Sequence, residues 1–388
     1  MIDPEALARH YTRFRVSERI LLTGHSHQAW PDCGFDGQQR AWLDTAEYVD
    51  DVWEKAFEQA AHVRRGFARL LDDSPDRIAL ATNTHELVVR FLSALPLAKR
   101  PKLITTDGEF HTIRRQLDRL AEEGVEVVKV VQAPAGTLAE RLASAVDVRT
   151  AAVLVSAVLY TNAHIVPNLG AVLTACQRVG AELLVDAYHA LNVVPFALRA
   201  EGLEGAYIVG GGYKYCQLGP GNAFLRVPAD TTLRPVVTGW FSEFAELVEP
   251  ARPGKVSYGA GSARFAGATY DPTSHYRAAN VLAFFEEQQL TPQTLRDLNQ
   301  HQVGLLASGF DALGVDLKVI SRDRSVALSG TGGFLALRTP QAARLSVALR
   351  EREVWTDYRG DVLRLGPAPY VTDRQLGAAI EALREVAA

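Results

Sequence analysis

The chain alternates short, nearly unbroken apolar runs with longer segments in which apolar residues recur every three or four positions. The strand-like runs are Ile78–Ala81, Lys102–Thr105, Val125–Val130, Ala152–Ser156, Leu183–Asp186, Tyr207–Gly210 and Ala223–Val227. Helix-period segments lie between several of them, such as Thr112–Glu123 and Leu169–Val179, the latter stopped by Gly180. Apolar strands separated by helices predict an α/β fold with a mostly parallel sheet covered on both faces. From Ser274 a helical pattern runs to Gln289, and Thr291-Pro292 restarts a helix with a capping hydroxyl and a proline in its first turn. The remainder, to Ala388, alternates strands and helices as a smaller α+β domain. The expected organisation is an N-terminal segment (1–45) that joins the small domain and lines the site, a large α/β domain (46–273) and a small C-terminal domain (274–388). Glu249–Gly254, rich in proline and glycine, predicts an irregular loop.

Composition narrows this little. The 388 residues are 47% hydrophobic and 22% charged, enough to bury large cores in about two domains. A net charge of -4 gives no basic footprint, which argues against a nucleic-acid partner. No run of about 18 apolar residues is present, and Met1-Ile2-Asp3-Pro4-Glu5 does not open as a secretory signal does, so a cytoplasmic protein without membrane partners is expected. Cys33, Cys176 and Cys216 are too few and too irregularly spaced for a disulfide framework or a zinc site, and no metal is expected.

The chemistry concentrates in two stretches. Gly210-Gly211-Gly212-Tyr213-Lys214-Tyr215 follows an apolar strand and places one lysine between two tyrosines at a strand end. A lysine becomes a useful nucleophile when its amine is desolvated, because its pKa then falls and it can form a Schiff base. Upstream, the strand Leu183–Asp186 ends in a carboxylate, and His189 follows three residues later. Neighbouring parallel strands share one crevice at their carboxyl ends, so Asp186 and Lys214 can meet there. Pyridoxal 5′-phosphate needs that pair: an amine for its aldehyde, and a carboxylate that keeps its pyridine nitrogen protonated. Asn83 and Thr84 open a helix-period run and could hold a phosphate on backbone amides, although both are also ordinary capping residues. Arg364, on the strand-like Val362-Leu363-Arg364-Leu365, is the candidate for a substrate α-carboxylate, since a guanidinium fork matches a carboxylate bidentately.

Asp186-Ala187-Tyr188-His189-Ala190, then Tyr213-Lys214-Tyr215 and Gly219-Pro220-Gly221, resemble the kynureninases, within the class V aminotransferase-like enzymes of fold type I. The resemblance extends over most of the chain. It includes Gly24-His25-Ser26-His27 in an N-terminal loop near the site, Ala81-Thr82-Asn83-Thr84 at the phosphate turn, Glu109-Phe110-His111 at the ring-stacking position, Gly239-Trp240-Phe241, and Leu363-Arg364-Leu365-Gly366-Pro367.

The resemblance implies roles. Lys214 would carry the cofactor, Asp186 would face the pyridine nitrogen with His189 in support, and Tyr213 would bond the phosphate and move protons. Phe110 or His111 would stack on the ring. Trp240 and Thr269 would contact the cofactor, Thr269 from across the interface of a homodimer with shared active sites. Arg364, His25 and Ser26 would receive an amino-acid substrate. The implied reaction is hydrolytic cleavage of the β–γ carbon bond of a 3-acyl-alanine. An aminotransferase, racemase, epimerase or other lyase would use the same Lys214, and a non-catalytic protein could keep the fold. A cysteine desulfurase of this fold needs a mobile C-terminal cysteine, and none follows Cys216. Two departures stand out: Gly267-Ala268-Thr269 replaces the kynureninases' aryl-recognising asparagine, and Ile113 stands where they have an aspartate.

Overall fold

The computed structural model describes residues 2–246 and 254–387; most of the proline- and glycine-rich stretch 249–254 lies outside the described residues. Thirteen strands are formed in the described residues. In chain order they are β1 (Ile20–Leu21), β2 (Ile78–Ala81), β3 (Lys102–Thr106), β4 (Glu126–Val130), β5 (Thr150–Ser156), β6 (Glu182–Asp186) and β7 (Tyr207–Gly211). Then follow β8 (Ala223–Arg226), β9 (Ser321–Arg322), β10 (Leu335–Arg338), β11 (Val354–Trp355), β12 (Asp357–Arg359) and β13 (Val362–Leu365).

The large sheet has the order β2-β8-β7-β6-β5-β3-β4. Its pairings are parallel from β7 to β4, and β8 runs antiparallel to both β7 and β2. The apolar runs explain the sandwich directly. Successive strand side chains point to opposite faces, so Val153, Val155, Leu183, Val185 and Ile208 enter one core while Ala152, Leu154, Leu184, Tyr207 and Val209 enter the other. Each such valine, leucine or isoleucine contributes about 1.5–3 kcal/mol on burial. Leu169–Val179 is helical as the periodicity predicts, and Gly180, at φ 70°, closes it by donating its N–H to the carbonyls of Cys176 and Gln177. Helix Pro292–Ala312 begins at Thr291, whose hydroxyl accepts from the Thr294 N–H in a capping box.

The C-terminal region builds a four-stranded sheet of order β12-β13-β10-β9, antiparallel throughout. The N-terminal segment docks onto it: β1 pairs in parallel with β11, and Thr23 bridges to Gly366. In the large sheet the strand order reverses between β3 and β5, the place where open α/β sheets hold ligands beyond their carboxyl ends. Among the described residues no helix is long and apolar enough to cross a membrane.

Candidate active site

Asp186 is the last residue of β6 and sits in register with Ser156 of β5 and Val209 of β7. Lys214 follows β7 by three residues, at the end of the glycine run. Those glycines matter because a Cβ on Gly211 would lie 2.9 Å from the Tyr188 ring, and one on Gly212 would lie 2.5 Å from Leu218. Without side chains there, the segment after β7 packs down onto the segment after β6. The Lys214 Nζ consequently reaches 2.6 Å from Nε2 of His189, and lies 4.9 Å from the Tyr188 ring centre and 5.3 Å from that of Phe110.

The electrostatics follow from this burial. Loss of water lowers the Lys214 amine from 10.5 to about 7, against the raising influence of Asp186 and with a further lowering from Arg364. Burial likewise raises the Asp186 carboxyl, opposed by the Tyr188 N–H that its Oδ1 accepts at 2.8 Å and by the charge of Lys214. His189, buried and next to Lys214, is held well below the usual imidazole range and is therefore neutral. Its Nε2 accepts from the lysine when Nδ1 carries the proton, and Nδ1 has no hydrogen-bond partner among the described residues.

A second group converges on the same crevice. Arg364, only 2% exposed, donates from Nε and Nη2 to the two carboxylate oxygens of Asp357 at 2.8 and 2.6 Å, and from Nη1 to the Tyr160 carbonyl at 2.7 Å. His25 Nε2 meets Asp357 Oδ1 at 2.7 Å. Burial lowers His25 to about 4, so it is neutral at physiological pH and donates through Nε2. Burial also pushes the Asp357 carboxyl up, but His25 and Arg364 more than offset this and hold it well below the usual carboxylate range.

The structure brings Lys214, Asp186, His189, Phe110, His25 and Arg364 around one crevice, with Tyr213 at its edge, stacked on His27 at 4.9 Å. Phe110 rather than the exposed His111 faces the lysine. Ser26 closes a turn, donating its hydroxyl to the Thr23 carbonyl. Asn83 caps helix Thr84–Ala94 by accepting from the Glu86 N–H at 3.0 Å, and Thr84 is half-buried in its first turn. Trp240 is exposed and packs on Phe241 and Phe244. Thr269, also exposed, lines a separate cavity of about 860 Å³ with Thr82, Glu86 and Arg90. Neither Trp240 nor Thr269 makes a hydrogen bond or ring contact with Lys214 among the described residues.

Three participants escape a reading of the sequence. Asp357 lies seven residues before Arg364, across a turn marked by Gly360-Asp361, which was the available signal. Tyr160 acts through its carbonyl, which carries no side-chain signature. Glu109, 1% exposed, accepts from the Ser156 and Thr106 hydroxyls at 2.6 and 2.7 Å, and burial raises it to about 7 against those bonds.

Comparison with known proteins sets this geometry in context. Residues 315–383 match the kynureninase C-terminal domain family. An uncharacterised aminotransferase of Bacillus subtilis (strain 168), YcbU, is 24% identical over 348 residues, 88% of this chain and 87% of that protein. The cystine C-S lyase C-DES, solved with its product cysteine persulfide, superposes with a TM-score of 0.82 at 16% identity, covering 96% of this chain and 98% of that one. An apo cysteine desulfurase from Thermococcus onnurineus NA1 superposes with a TM-score of 0.82 at 15% identity, covering 100% and 98%. The chain has the fold of these enzymes. That fold, fold type I, is the α/β architecture with a mostly parallel central sheet described above.

Proposed function

We propose that the protein is a pyridoxal 5′-phosphate-dependent enzyme of the class V aminotransferase type that acts on an amino acid. The observation that carries this is the meeting of Lys214, Asp186 and His189 at the carboxyl ends of β6 and β7. The residues present fit the cofactor: a neutral-prone amine for its aldehyde, a buried carboxylate for its pyridine nitrogen, the unpartnered Nδ1 of His189, and the Phe110 ring beside the lysine. The first amides of helix Thr84–Ala94 would take the phosphate, as helix N-termini do. When bound, the cofactor supplies an electron sink for charge that develops at the substrate α-carbon. The match to the C-DES complex and to YcbU supports the assignment.

The chain's own residues then have distinct tasks. Lys214, close to half-neutral near pH 7, can take the α-proton and return it. Asp186 holds positive charge at the far end of the crevice, and Arg364 holds the α-carboxylate so that the bond to be broken is correctly oriented. Tyr213, at the edge of the crevice, would donate its hydroxyl to the cofactor phosphate and serve in proton transfer. The cavity beside the phosphate turn, lined in one chain by Thr82, Phe244 and Thr269, lies next to the exposed Trp240; a second copy seated over this face would give a homodimer with shared sites, Thr269 of one copy serving the other.

Within that class the favoured reaction is kynureninase-like: water adds to the γ-carbonyl of a 3-acyl-alanine, the β–γ bond breaks, and a carboxylic acid and alanine leave. The family match at residues 315–383 supports it. Transamination is the second reading, supported by YcbU. Desulfuration is not favoured despite the fold, because no cysteine follows Cys216, and Cys216 is buried with its thiol pushed up to about 12. The deciding experiment incubates the holoenzyme with kynurenine, 3-hydroxykynurenine, cysteine and a panel of amino donors with a keto-acid acceptor. Release of an aryl acid and alanine supports hydrolysis; formation of a keto acid from a donor replaces it with transamination.

A further inference from the structure

Arg364 does not stand free. Asp357 and Arg364 are direct partners across β12 and β13, and the carboxylate grips the Nε/Nη2 edge of the guanidinium. Asp357 is itself held by His25 Nε2, and Arg359 Nη1 lies 3.4 Å from its Oδ2. His25 can lie there because positions 24 and 366 are glycines: a Cβ on Gly366 would stand 2.2 Å from His25 Nδ1, and one on Gly24 would stand 2.7 Å from the Pro367 carbonyl. The N-terminal loop and the β12–β13 hairpin thus converge on one carboxylate.

A guanidinium has five N–H groups. Asp357 takes two and the Tyr160 carbonyl one, which leaves one on each terminal nitrogen, the number that a substrate carboxylate accepts bidentately. Displacing Asp357 would leave a buried carboxylate beside the incoming one, which is unfavourable. The arrangement is suited to holding the arginine still while the substrate binds its remaining edge.

We propose that Asp357, braced by His25, is the positioning residue of the substrate-carboxylate receptor, fixing Arg364 so that its two unused N–H groups meet the α-carboxylate. This rests on the amino-acid reading above. Asp357 touches neither substrate nor cofactor, and its contribution is the orientation of Arg364.

The test compares ligands that differ only in the carboxylate. The holoenzyme is titrated with L-alanine and with ethylamine, following the cofactor absorbance, and propionate binding is measured by calorimetry. In Asp357→Asn, which keeps the shape, the Kd for L-alanine and for propionate should rise about 10- to 100-fold, as expected when a charge-assisted anchor is lost, while ethylamine changes less than about twofold. His25→Gln, whose amide can still donate to Asp357, should lose less than His25→Ala. Melting curves identify any variant that has not folded, and the His25 pair then carries the test. An equal loss for L-alanine and ethylamine would show a structural role only. Tighter L-alanine binding in Asp357→Asn would show that Asp357 competes for the seat. Either result overturns the proposal. If L-alanine leaves the wild-type spectrum unchanged while propionate binds and weakens in Asp357→Asn, the amino-acid reading fails and the receptor stands; if the wild type binds neither, the receptor fails as well.

Discussion

Removing the amine of Lys214 should stabilise the fold near neutral pH. In the folded protein the amine sits at about 7 instead of 10.5, chiefly because burial penalises its charge. The unfolded chain therefore binds more protons between these values, and stability must rise as pH rises through that window. At about 1.4 kcal/mol per pH unit, holding this group folded at pH 7 costs at most about 4 kcal/mol, and less in practice because the side chain is only half-buried and water screens its charge. Lys214→Met keeps the length and removes the charge, so the cofactor-free variant should be more stable than the cofactor-free wild type by a few kcal/mol at pH 7, and this advantage should vanish above about pH 10.5. Denaturant titration of both proteins at about pH 6, 7, 8, 9 and 10.5 measures it. A stability difference that is flat with pH, or a variant less stable than wild type at pH 7, would refute the reasoning and return Lys214 to an ordinary, solvated lysine.

The other expectations are more local. Asp186→Asn removes the charge proposed to face the pyridine nitrogen, with little change in shape; turnover should fall by orders of magnitude while cofactor affinity falls much less, as paired kinetics and cofactor titration would show. The same substitution removes the charge that raises Lys214, so the pH midpoint of labelling of the apoprotein's Lys214 by an amine reagent should move lower, and a rise in that midpoint would contradict the assigned pairing. Gly366→Ala drives a methyl group onto His25 Nδ1 and should raise KM for the amino-acid substrate with a smaller effect on kcat, readable by steady-state kinetics. Kynurenine itself should be a poor substrate, since Gly267-Ala268-Thr269 supplies no counterpart of the kynureninases' aryl-recognising asparagine; losing one such partner costs about 1–3 kcal/mol, or roughly 5- to 150-fold in kcat/KM.

The sheet was legible because its strands are buried on both faces and read as apolar runs with clear stops. Leu169–Val179 emerges with its predicted bounds, and Val125–Val130 shifts only to Glu126–Val130. The Asp186 and Lys214 placement was legible for the same reason, since both lie at the ends of such strands. The cluster of Arg364, Asp357 and His25 was less legible. Arg364 was visible as an arginine on an apolar strand, but its partner Asp357 lies on a three-residue strand whose pairing depends on the turn at Gly360, and His25 arrives from more than three hundred residues away. Phe110 and His111 could not be separated by sequence because the helix begins between them: Phe110 is its extended N-cap and points to the crevice, whereas His111 starts the first turn and is exposed. Trp240 and Thr269 lie away from the lysine in one chain, where a sequence match to cofactor contacts says nothing about which copy supplies them.

Whether Lys214 carries pyridoxal 5′-phosphate is decided by borohydride reduction of the purified holoenzyme followed by peptide mass mapping. A single phosphopyridoxyl adduct on Lys214, absent from Lys214→Ala, is expected. An adduct on another lysine, or unchanged reductive labelling of Lys214→Ala, would contradict it.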